Sequence, residues 1–291
     1  MARYLDPKND VPFLRIFGRN PDLLISFLNA LIPFEEGRVI KTVEYFPIES
    51  IKSFPLDRYS TITVRCKDNF DRQFIVAIQI FFHNMFTGQI RFNSSGVSIV
   101  QLDNRDYTPP YPLYLLMILN DILPQIEDAN FYHHYLTVNM KNSNDAVKGI
   151  ELVLIELPKF KPETFSNRKM ATLWLRFLRE VHEGVIDVDA ELLENENICK
   201  AIDLCVEYTF SHAEMYAYEN CWDNVRTQVA NAIEFSEKGK MEEKMEGEMK
   251  ERIEVIINSQ KAGLPIDLIA TITKLTPEEV IEILTKKNQN L

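Results

Sequence analysis

Gln73 and Gln79 put polar groups at both ends of one face of a run, Phe74 to Phe82, that is otherwise apolar, aromatic or β-branched. Side chains alternate faces along a strand, so Gln73, Ile75, Ala77 and Gln79 share a side. Amides on a strand that is otherwise covered on both faces mark a place where a ligand or a reaction could be held. Three further sets carry reactive side-chain types. His133-His134 could ligate a metal, but no acid or cysteine stands beside them at ligand spacing, and the pair reads as an exposed loop. Ser211, His212 and Glu214 are hydrolase residue types without a nucleophile elbow, and they read as a helix surface. Cys66, Cys199, Cys205 and Cys221 form no Cys-x-x-Cys pair and no zinc spacing, which fits reduced, mostly buried thiols in a cytoplasmic protein.

Elements that would position these residues follow from periodicity. Val11 to Phe17 and Asp22 to Leu31 have helical spacing, with Leu23, Leu24, Phe27, Leu28 and Leu31 on one face. A strand is expected around Thr42 to Phe46. Thr61 to Cys66 alternates, with Ile62 and Val64 on one side and Thr61, Thr63 and Arg65 on the other. Lys67 to Arg72 is rich in Asp and Asn and supplies a turn, so this strand and Phe74 to Phe82 form a hairpin. A helix is expected over Gln89 to Leu102, and buried strands over Leu113 to Leu119 and Ile150 to Leu157. Beyond Pro162 the pattern is helical: Ala171 to Val181, Ile198 to Tyr218, and a charged continuation over Asp223 to Met249. Trp174, Phe177, Tyr208 and Phe210 read as core rather than as base-stacking groups. The expected units are a mixed α/β core over 1–161, a helical region over 162–235, and a charged helix with a small helical pair over 236–291.

The bulk properties exclude some functions. The 291 residues are 46% hydrophobic, enough for a substantial core. A net charge of -11 argues against broad attraction to nucleic acid, leaving a local patch of Arg65, Lys67, Arg72 and Arg91 as the DNA-facing candidate. The polar opening is unlike a secretory signal. The longest apolar stretch, Leu113 to Leu119, is far short of the roughly 20 residues that span a bilayer.

Several segments resemble one family in order along essentially the whole chain. They are Tyr4-Leu-Asp-Pro-Lys-Asn-Asp10, Phe13-Leu-Arg-Ile-Phe17, Leu24 to Leu31, Phe74-Ile-Val-Ala-Ile-Gln79, Ile155-Glu-Leu-Pro-Lys-Phe160, and the charged tail with its helical pair. The family is the PD-(D/E)XK nuclease family of transposases, also called recombination-promoting nucleases. The resemblance implies a restriction-endonuclease-like mixed sheet flanked by helices, with an α-helical C-terminal extension, cutting DNA with Mg²⁺. In that family one hairpin strand carries an Asp before a Val, and the next carries Glu-x-Gln after an Ile-Val pair. Here the first position is Thr63 and the second is Ala77, while Gln79 matches. Asp10 matches an acidic position near the start and is the metal-ligand candidate, although it could equally cap the first helix. Where the family has paired tyrosines after an Arg, Arg91 is followed by Ser94 and Ser95.

The expectation is therefore a nuclease scaffold without its hairpin carboxylates, acting by binding DNA or protein. Its rival is an active Mg²⁺-dependent endonuclease that has relocated an acid, for which Asp57, Asp68 and Asp71 stand nearest; those three otherwise read as loop acids facing water. Met241, Met245 and Met249 fall on one edge of a helix, either a seam for a partner or part of a solvated stalk. Thr276 reads as a helix cap. Glu278, Glu279 and Glu282 make the last helix unsuited to reading DNA. Leu268, Ile272, Val280, Ile283 and Leu284 are the residues expected to receive another copy of the chain or a related nuclease.

Overall fold

The computed structural model describes residues 3–46, 61–81, 112–123, 128–139, 142–165 and 168–288. They divide into two compact units, Met1–Val229 and Ala230–Leu291. The first unit opens with α1 (Asp10–Phe17) and α2 (Pro21–Leu31), then β1 (Ile40–Tyr45), β2 (Thr61–Asp68), β3 (Gln73–Phe81) and β4 (Leu113–Leu119). β5 (Tyr132–Asn139) and β6 (Asn142–Glu156) complete a six-stranded sheet in the order β1-β2-β3-β4-β6-β5. β1, β2 and β3 run antiparallel as a meander, β3, β4 and β6 are parallel neighbours, and β5 returns antiparallel along β6. Helices α3 (Lys169–Glu180), α4 (Ala190–Leu193) and α5 (Glu196–Asp203) follow, then the 50-residue α6 (His212–Lys261).

Alternation along β3 sends Phe74, Val76, Ile78 and Ile80 to one face, where they pack with Phe13, Phe17 and Phe27 of the first two helices and Trp174 and Phe177 of α3. The aromatic rings meet at tilted or edge-on angles, Phe17 with Phe27 at 4.5 Å and Phe27 with Trp174 at 5.4 Å. Ile75 and Ala77 face the other way, into a second buried cluster with Leu113, Leu115, Met117 and Leu154. All seven residues of β4 are buried, as expected of a strand covered on both sides. The architecture is a mixed α/β sheet flanked by helices, the restriction-endonuclease-like class. In the second unit, α7 (Ile266–Thr273) and α8 (Pro277–Asn288) close a small core of Ile256, Ile269, Ala270, Val280 and Leu284.

Three expectations are corrected. His133 and His134 lie on strand β5, because β6 supplies a partner strand that no local pattern announces. The stretch from Ile198 to Tyr218 is not one helix. α5 stops at Asp203, and Val206 forms an isolated antiparallel bridge to Tyr4 while the Leu5 N–H bonds the Cys205 carbonyl at 2.8 Å. A short 3₁₀ turn, Glu207–Thr209, then carries Tyr208 outward, 84% exposed rather than in the core; Trp174, Phe177 and Phe210 are buried. The expected helix over Gln89 to Leu102 lies outside the described residues.

Asp68 is the other departure. It closes the β2–β3 turn, but it does not face water: its carboxylate is buried between Arg38 Nε at 2.7 Å and Arg72 Nε at 2.9 Å, and accepts the Phe70 and Arg72 backbone N–H groups. Arg38 in turn lies over the rings of Phe34, Phe74 and Tyr114. Burial alone would raise the Asp68 carboxyl. The Arg38 hydrogen bond, the Arg72 and Phe70 N–H groups and the Arg72 guanidinium outweigh it, and bring the group down from 3.8 to about 2. A depressed carboxyl stabilises the fold above its unfolded pKa and loses that contribution as pH falls through the folded value. Urea unfolding should therefore show about 2 kcal/mol of stability disappearing between roughly pH 4 and pH 2, and Asp68→Asn should remove that part of the pH dependence.

Candidate active site on the hairpin

The register of β2 against β3 decides how positions 63 and 77, which the resemblance assigns to acids, relate. Thr63 pairs directly with Ala77, and Thr61 with Gln79. Residues directly opposite in an antiparallel pair hold their Cβ atoms about 4.5–5.5 Å apart and on one face. Two carboxylates at 63 and 77 would thus converge on a common point, the arrangement a hard divalent ion requires. A hydroxyl and a methyl group stand there instead. Ala77 and Gln79 are both buried. Across the strands, the Phe46 N–H donates to the Thr63 carbonyl at 3.3 Å, Leu115 lies beside Ala77, and Met117 beside Gln79. The surroundings are aromatic and aliphatic.

Asp10 stands at the start of α1. The N-cap of α1 is Asn9, whose side chain accepts the Val11 N–H, and Asp10 occupies the first turn. α1 packs on the Phe74-Val76-Ile78 face of the sheet, whereas Ala77 looks into the opposite cluster. One neighbour of Asp10 is Cys221 of α6, whose thiol is pushed up to about 11 by burial, with the Asp10 charge and its carboxylate hydrogen bond adding to the rise.

The opening motif acts as a strap. The Lys8 ammonium is buried, donating to the Leu178 carbonyl at 2.8 Å and pairing with Asp6 at 2.9 Å. The Asp6 N–H bonds the Tyr218 hydroxyl at 3.0 Å, and the Asn9 amide donates to the Tyr218 carbonyl at 3.1 Å. The Tyr218 hydroxyl donates to Glu183 at 2.6 Å. Residues more than two hundred positions apart are thereby tied into one unit.

The remaining candidates resolve as structure. Asp71 pairs with Lys67 at the surface, and Asp57 lies outside the described residues. Glu44 shares the face of Thr63 and pairs with Arg65 at 3.2 Å. Glu156, which sequence reasoning missed as a charged centre, shares the face of Leu154 and is fully buried. It accepts the Leu123 N–H at 2.7 Å, Lys159 at 2.8 Å and His133 Nε2 at 3.1 Å. The signal was present in the Glu-Leu-Pro-Lys run, where a glutamate and a lysine three residues apart flank a turn. His134 meets Glu151 at 3.0 Å. Ser211 and Glu214 form a reciprocal cap at the start of α6, and Thr276 and Glu279 repeat it before α8. Arg65, Lys67 and Arg72 are all ion-paired, and Arg91 lies outside the described residues. In the second unit Val280 and Leu284 are used by its own core and Ile283 packs against it, so only Leu268 and Ile272 of the five expected contact residues are exposed. Met241 and Met249 are exposed as well.

Among the described residues no three His, Cys, Asp or Glu side chains are grouped to hold a metal ion, and no helix is long and apolar enough to cross a membrane. The family's Mg²⁺ does not fit the hairpin residues described here, because Thr63 and Ala77 offer it no charge. The mixed sheet, the hairpin register and the flanking helices nevertheless define a nuclease-type scaffold. A profile of the PD-(D/E)XK nuclease family transposases matches residues 7–234, so the chain belongs to that family. Neither a curated protein nor a solved structure matches it.

Lys8→Met keeps the volume of the strap's buried side chain but strands Asp6 beside an unpaired Leu178 carbonyl. It should cost about 3 kcal/mol in urea unfolding, with α1 and the N-terminal part of α6 losing amide protection together.

Proposed function

We propose that this nuclease-family chain no longer hydrolyses DNA and acts by binding, with DNA or another protein as its partner. The observation that supports this reading is the direct pairing of Thr63 with Ala77 where the family places two acids. Mg²⁺ dehydrates reluctantly and is held through carboxylates together with waters and phosphate. Without that charge, no ion lowers the pKa of an attacking water or steadies the leaving oxygen. Among the described residues, Glu44 and Glu156 put carboxylates on the same face, and they pair with Arg65 and with Lys159 and His133. DNA would meet this face at Arg65, which is partly exposed and lies 5.4 Å from the centre of the Phe46 ring. A related nuclease chain would meet the exposed Leu268 and Ile272 of the second unit.

Purified protein should leave plasmid DNA intact in Mg²⁺ and in Mn²⁺. Metal-dependent nicking that disappears on Asp10→Ala would overturn the proposal.

Restoring the acids probes the site from the other direction. Thr63→Asp with Ala77→Glu should lower the melting temperature in chelator, because two like charges then face each other in a covered site. Mg²⁺ or Mn²⁺ should recover the loss by binding the folded state. Calorimetry showing no metal uptake by the double variant would mean that 63 and 77 are not the lost ligand positions.

A further inference from the structure

The two edges of the sheet are built differently. At one, β1 carries Lys41 and Glu44 and is interrupted by a register shift between Ile40 and Thr42, devices that keep a strand edge from pairing with another chain. At the other, β5 reads Tyr-His-His-Tyr-Leu-Thr-Val-Asn, without Lys, Arg, Asp, Glu or Pro, in a chain that is 26% charged. Its pairing with β6 is regular from Tyr132 to Leu136, and the irregularities come only beyond that point.

β5 is held firmly from within. His133 bonds Glu156 and His134 bonds Glu151, both on β6. Among the described residues no strand other than β6 pairs with it. His134, Tyr135 and Leu136 are exposed in succession, Tyr135 at 44% and Leu136 at 53%, so both faces of this stretch meet solvent. The Glu156 N–H donates to the Phe131 carbonyl at 2.8 Å, which sets the phase of the ladder. The alternation of an antiparallel pair then directs the backbone groups of His133 and Tyr135 to β6, and those of His134 and Leu136 to the outer edge.

We infer that β5 is a self-pairing edge, through which a second copy of this chain docks antiparallel and continues the sheet. Electrostatics selects this edge. Two molecules of net charge -11 repel wherever acids meet, and β5 brings none of its own to the contact. Symmetry selects the occupant, because an antiparallel strand is its own complement about a two-fold axis. His134 of each chain then exchanges backbone hydrogen bonds with Leu136 of the other. Tyr135 faces Tyr135 in the close, non-hydrogen-bonded position, where aromatic cross-strand pairs are favourable. The inference does not depend on whether the hairpin face binds DNA.

Sedimentation velocity on the full chain tests it. The wild type should move from monomer to dimer as concentration rises. Leu136→Lys, which sets a charge on the outer edge, should remain monomeric with an unchanged circular dichroism spectrum. Leu136→Pro should do the same, because the N–H it deletes points away from β6. If both variants fail to fold, amide exchange of the wild type decides: the His134 and Leu136 amides should become slower to exchange as concentration rises, while those of Lys41 and Val43 on β1 should not. A wild type that stays monomeric, a dimer that survives Leu136→Lys, or edge amides indifferent to concentration would each overturn the inference.

Discussion

Period-two alternation along β3 is the constraint on which the rest of the first unit depends. Phe74, Val76, Ile78 and Ile80 must meet the helices, so Ile75, Ala77 and Gln79 must look the other way. A slip of one residue against β2 would turn every one of these side chains to the wrong face. The turn resists that slip. Asp71 takes a left-handed backbone conformation (φ 61°), and Asp68 binds two backbone N–H groups of the loop while two arginines hold its carboxylate. The opposition of Thr63 and Ala77 is therefore enforced by burial on one face and by a charged clasp at the turn.

Charge is distributed through this unit as closed clusters. Asp68 with Arg38 and Arg72, Glu156 with Lys159 and His133, and Lys8 with Asp6 each bring opposite charges into burial together. A buried pair contributes little net stability against a well-packed apolar alternative, yet removing one partner is expensive because the other stays buried. Such clusters fix where chain segments join more than they deepen the energy well. Each one here joins segments that the sequence keeps apart: the β1 side to the hairpin, the start of β5 to the end of β6, and the first residues of the chain to α3. The same closure leaves these charges committed, which bears on the hairpin face: among the described residues, Glu44 and Glu156 on that face already have cationic partners or a histidine.

Much of this architecture is legible locally. The hairpin, its turn, the first two helices, the buried β4 and the capped final helices follow from alternation, helical spacing and turn or cap residues, each of which acts over a few neighbouring positions. The opposition of Thr63 and Ala77 is legible as well, once the hairpin register is fixed by two apolar faces. Strand β5 is not, since Tyr132-His-His-Tyr135 has no alternation of its own and is a strand only because β6 lies beside it. Tyr208 misleads for a related reason: its helical surroundings are broken by a bridge between Val206 and Tyr4, two hundred residues away.

What the sequence by itself determined is most of the elements, the uncharged Thr63 and Ala77 on the hairpin, and the family to which the chain belongs. Tertiary structure alone decided which charges are spent. Asp68 reads as a solvated loop acid until Arg38 arrives from the segment before β1. Alternation and capping are short-range, so they are written in neighbouring residues. Burial and charge pairing depend on which distant surfaces meet, and that is settled only when the sheet and its helices close on one another.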